Sequence, residues 1–64
     1  MKELIRNLQK RVQALKDTNS AAHLILKSGT WLNGYITKIY DDYFVILDRE
    51  DGEVPVFFVD IRVL

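Results

Sequence analysis

The chain has no cysteine, a single proline, three glycines, one histidine and no net formal charge. Without cysteine there are no disulfides, no thiolate metal sites and no cysteine nucleophile. The lone histidine, His23, supplies neither a metal cluster nor a base beside a recognisable nucleophile, and it reads as a strand-edge residue. Zero net charge is far from the basic balance of a protein that grips nucleic acid mainly through phosphates. No apolar run approaches the roughly 18 residues of a transmembrane helix. The start, Met1-Lys2-Glu3-Leu4-Ile5-Arg6, meets a charge every few residues and lacks the apolar core of a secretory signal. The expectations are a cytoplasmic protein with no membrane partner.

What is present must be built from 64 residues, enough for one small domain, residues 1–64, and too few for a large enzyme. With 48% apolar and 28% charged residues the chain is globular in composition. A core of this size leaves little net stability once the chain is ordered, and with disulfides and thiolate metal sites excluded, oligomerisation is the supplement that remains.

The neutral total hides an asymmetry. Residues 1–17 hold five basic and two acidic residues, a net +3, whereas residues 18–64 hold four basic and seven acidic, a net −3. Electrostatic steering of an anion would fall to the first segment; a solvated helix face is the plainer reading of the same charges. In that segment Met1, Ile5, Leu8, Val12 and Leu15 recur at helical spacing and Leu4 widens the stripe. The spacing predicts a helix over 2–17. Two heptads are short for an independent coiled coil, so the stripe is expected to cover an apolar opening in the rest of the fold. Asp17-Thr18-Asn19-Ser20 ends the pattern, because these side chains compete for backbone hydrogen bonds.

From Ala22 onward β-branched and aromatic residues are broken by turn signals at short intervals. Strands are predicted at 22–27, 30–40, 43–48, 53–58 and 61–64, joined at Ser28-Gly29, Asp41-Asp42 and Asp48-Arg49-Glu50-Asp51-Gly52. Gly34 in mid-strand permits a sharp bend. Five short, strongly bent strands are expected to close into a small barrel. Pro55 cannot donate to a ladder, which places the fourth strand at an edge. The last strand is short and apolar, an invitation to pair with another subunit. Val54, Val56, Phe58, Ile61 and Val63 are the candidate subunit-interface residues.

The run Leu26-Lys27-Ser28-Gly29-Thr30-Trp31-Leu32-Asn33-Gly34-Tyr35-Ile36-Thr37-Lys38-Ile39 resembles the first motif of the Sm and LSm family, which includes the RNA chaperone Hfq. Leu26, Gly29, Leu32, Gly34, Ile36 and Ile39 fill the motif's apolar and glycine places, and Val45 and Leu47 continue the third strand at the family's spacing. A helix before five strands is also the family's order of elements, so the resemblance spans the chain. It implies an Sm-like (SH3-like) small open barrel of five strongly bent strands, capped by the helix. It also implies a ring of about five to eight copies, closed by pairing of the fourth strand of one with the fifth of the next. Its implied ligand is single-stranded RNA.

The sequence departs from the family at the RNA-reading loops. The loop after the second strand reads Tyr40-Asp41-Asp42-Tyr43-Phe44, with Phe44 in the place of asparagine. Before the last strand stands Phe57-Phe58-Val59-Asp60-Ile61, with neither the arginine-glycine of Sm proteins nor the lysine-histidine of Hfq. Asp42, Tyr43 and Phe44 are candidates for stacking on bases or lining a pore. Trp31, Asn33 and Tyr35 alternate with Leu32, Gly34 and Ile36 and so share the outer face of the second strand. There Trp31 and Asn33 are candidates to stack on and bond to a base; the other reading packs Trp31 under the helix or against a neighbouring subunit.

Asp48, Glu50, Asp51 and Glu53 crowd one turn, but the calcium-loop ligand pattern is missing and a solvated turn is expected. Asp41 and Asp42 are adjacent turn residues in a chain too small for a deep pocket. No catalytic constellation, cofactor or metal site is expected. Two functions follow: an Sm-like ring holding single-stranded RNA or a ribonucleoprotein partner, or an Sm-like ring without the RNA pocket that serves as a protein scaffold. A monomeric SH3-like peptide binder shares the barrel but leaves the apolar edge unexplained.

Overall fold

The computed structural model describes residues 2–64, so the place given to Met1 on the helix stripe lies outside the described residues. Helix α1 runs Lys2–Asp17, followed by strands β1 (Ala22–Leu26), β2 (Trp31–Ile39), β3 (Tyr43–Asp48) and β4 (Gly52–Phe57), a single 3-10 turn at Phe58–Asp60, and β5 (Ile61–Val63). Glu3 in the first turn of α1 and Lys16 in the last complement the helix dipole. The helix stops where Asn19 turns left-handed, with φ of 51°, a conformation asparagine tolerates; the Ser20 amide closes the end on the Leu15 carbonyl at 2.9 Å.

All strand pairs are antiparallel and form one sheet in the order β4-β3-β2-β1-β5. β4 and β5 lie at opposite edges, so the expected closure into a barrel does not occur within the chain. The physical reason is strand length: β5 is three residues long and is fully occupied beside β1, through Leu26–Ile61 and Ile25–Val63. Pro55 does sit in an edge strand, opposite Val45.

Gly34 is where three strands meet, opposite Ala22 of β1 and Asp48 of β3. A Cβ there would stand 1.8 Å from the Leu47 carbonyl oxygen, so only glycine allows β2 and β3 to approach this closely. Beyond it a bulge between Ile36 and Lys38 shifts the β2–β3 register and adds local bend and twist.

The inner face of the sheet carries Ala22, Leu24, Leu32, Ile36, Phe44, Ile46 and Val56, which with Phe58, Ile61 and Val12 of the helix form the core. Ile5, Leu8 and Leu15 pack against it from α1, so the apolar stripe covers the open side of the bent sheet. Leu4, counted with that stripe from sequence, lies at its rim, 61% exposed and lining a small cleft with Ile5, Leu8 and Phe58. No helix among the described residues is long and apolar enough to cross a membrane.

Candidate functional site

β3 reads Tyr-Phe-Val-Ile-Leu-Asp, apolar at nearly every position, and alternation turns Phe44, Ile46 and Asp48 inward and Val45 and Leu47 outward. Phe44 is therefore fully buried, its ring 5.3 Å from that of Phe58. This corrects its candidacy for stacking on a base: no face of the ring reaches solvent. The side chains of Val56, Phe58 and Ile61 are likewise buried in the chain's own core, so among the interface candidates they offer little side-chain surface. Val54 is half-buried and Val63 is half-exposed, and these keep surface at the two sheet edges.

Tyr43 joins a surface aromatic cluster that the sequence did not single out as one. Its ring stacks on Tyr40 at 4.7 Å and meets Phe57 of β4 at 5.3 Å. The signal was available: Tyr43 and Phe57 are directly paired across β3 and β4, and Tyr40 closes the intervening turn through its amide to the Tyr43 carbonyl. Gln9 of the helix donates to the Asp41 carbonyl at 2.8 Å, and the Phe58 amide to the Asp42 carbonyl at 3.1 Å. The turn is thus tied to both α1 and the 3-10 segment. Its carboxylates, Asp41 and Asp42, are exposed.

Trp31, Asn33 and Tyr35 lie together on the outer face of β2, as alternation requires. Trp31 is 68% exposed, so the reading that packs it under the helix is corrected: α1 covers the opposite face. The His23 ring bonds the Asn33 side-chain oxygen across the β1–β2 pair. Beside Trp31 and Asn33 the β3–β4 turn opens a groove of about 440 Å³ lined also by Asp48, Arg49, Glu50 and Asp51.

Asp48 builds that groove. Read from sequence as part of a solvated acidic turn, it is the buried charged side chain among the described residues. One carboxylate oxygen accepts from the Asn33 amide at 2.8 Å and the other from the amides of Glu50 and Asp51, each at 3.0 Å. The Asn33, Asp51 and Glu50 amides together hold its carboxyl below the ordinary aspartate value, against the opposing pull of burial. Arg49 completes the clamp by donating its amide to the Asn33 carbonyl at 2.9 Å. Gly52 ends the turn with φ of 75°, a conformation glycine adopts at no steric cost. No group of three or more metal-ligating side chains is found among the described residues.

No protein-family model, curated protein or solved structure matches the chain.

Proposed function

We propose that the chain is an Sm-like module that assembles edge to edge into a ring of about five to eight copies and holds single-stranded RNA on the Tyr40, Tyr43 and Phe57 rings. The observation that carries this reading is the strand order, which leaves β4 and β5 at opposite edges of one open sheet, each with one unpaired side. Each free edge offers a row of backbone donors and acceptors, and pairing β4 of one copy with β5 of the next satisfies both. Val54 and Val63 lose their remaining exposure in that contact.

For the ligand, aromatic faces stack on any base, worth about 1 to 3 kcal/mol each. The cluster at Tyr43 is favoured over Trp31 because Gln9 ties the helix to its turn, and the segment 1–17 that holds the helix carries a net +3 for phosphate. The turn beside Trp31 carries four acidic residues and one basic and repels phosphate. A second reading, a ring that acts as a protein scaffold, is favoured by Asp41 and Asp42 beside the aromatic cluster and by Phe44 and Phe58, which the core consumes.

A native mass spectrum of protein purified without nuclease tests both. A closed ring carrying nucleotide mass supports RNA binding, and a bare ring supports the scaffold. A monomer overturns edge-to-edge assembly.

A further inference from the structure

The outer face of the sheet has no partner within the chain. Trp31, Tyr35 and Leu47 stand exposed on it, while α1 covers the other side. At one end lies the groove beside Trp31, walled by Glu50 and Asp51. Because Asp48 and the Asn33 backbone fix the turn, those carboxylates are presented at a set place relative to the indole. An aromatic face next to carboxylates suits a cation on a long apolar stem, which covers the ring while its charge meets the acids.

The chain carries the complement itself. Residues 48–53 hold four acidic residues and Arg49, a net −3, and α1 holds five basic residues against two acidic, a net +3. Arg6 and Lys10 are exposed, on the side of α1 turned away from the core. We propose that the groove beside Trp31 receives Arg6 and Lys10 from the helix of a second copy, so that copies stack head to tail.

The two surfaces lie on opposite faces of one chain, so the contact is heterologous and repeats instead of stopping at a dimer. It does not use the β4 or β5 edge and stands apart from the ring reading. Its long side chains shield Trp31 from water without requiring an apolar partner surface.

Sedimentation of the full chain at about 50 mM and about 500 mM salt tests this, since the exposed ion pairs that drive it are screened at the higher value. Expected is a low-salt mass at least about twofold above the high-salt mass, because each heterologous contact adds a whole assembly. The emission of Trp31, the single tryptophan, should shift to shorter wavelength in step. Glu50→Lys with Asp51→Lys should abolish the increment, and adding Arg6→Glu with Lys10→Glu should restore it. All four side chains are exposed, and an unchanged circular dichroism spectrum verifies folding.

An equal mass at both salts, or an increment that survives the paired lysine substitutions, overturns the proposal. So does a Trp31 shift produced by oligoadenylate and not by low salt, which would make the groove a nucleotide site. If Val63→Asp removes the ring while the salt-dependent association persists, the two contacts are separate and stacking is supported; a native chain that is monomeric at high salt yet associates at low salt supports stacking while the ring reading alone fails.

Discussion

The Asp48 carboxylate accepts the backbone amide of Asn33 at 2.8 Å, so a side chain at the end of β3 fastens the first part of β2. The same group holds the next turn through two further amides. One ionised residue thereby links the β2–β3 pair to the loop that walls the Trp31 groove.

That link makes stability depend on pH. The folded carboxyl titrates below the ordinary aspartate value of 3.8, so its contribution is complete above that value and is lost as pH falls through the lower folded value. Denaturant melts of the native chain should show stability declining in the acid range. Asp48→Asn, which cannot accept three amides as an anion does, should be less stable at neutral pH and show a flatter acid decline. Parallel curves for the two chains would refute the assignment.

Gly34→Ala places a methyl group against the Leu47 carbonyl. Overpacking of this kind costs about 1 to 3 kcal/mol, and more where backbone must move. The midpoint of urea unfolding should fall accordingly. Gly29, where an added Cβ meets no atom within 4 Å, serves as the contrasting site, its cost arising from its positive φ of 90° alone.

The adjacent aromatics Tyr43 and Phe44 should separate stability from binding. Phe44→Ala empties a core site and is expected to cost about 3 to 5 kcal/mol by thermal or urea melt. Tyr43→Ala, at the surface, should leave most stability intact and reduce affinity for a uridine-rich or adenine-rich oligonucleotide by about 1 to 3 kcal/mol per stacked base. Fluorescence anisotropy at two salt concentrations measures the second effect. An affinity that Tyr43→Ala leaves unchanged would remove the aromatic cluster from the RNA reading.

Val63→Asp should leave the single chain folded, because half of the valine is already exposed, yet break assembly by placing a charge in a strand-to-strand contact. Native mass spectrometry reads the result directly. An oligomer of unchanged mass would mean that β5 is not the contact strand.

Most elements were legible because each had a local cause. The 4-3-4-3 stripe marked α1 over Lys2–Asp17, and the continuous run Tyr43–Asp48 marked β3 to the residue. Ends drifted where distant hydrogen bonds decide: β4 stops at Phe57 because the next three residues turn to meet Asp42 and Lys27, contacts with no local sequence mark. Faces were harder than elements. In an all-apolar strand, alternation cannot say whether Tyr43 or Phe44 points inward, and tertiary packing chose Phe44. Asp48 was hidden by its company, since four acids in one turn read as solvated until three amides are seen converging on one of them.

The proline in β4 has a bearing on how this small sheet avoids growing without limit. The β3–β4 register runs through Pro55 unbroken, so the missing donor falls on the free side of the strand. Any incoming strand finds a notch there, and slipped alignments that need a donor at that position are penalised relative to ones that do not. Pro55 therefore works as an alignment mark and as a guard: it narrows the docking options of an exposed edge and makes uncontrolled amyloid-like templating from it harder.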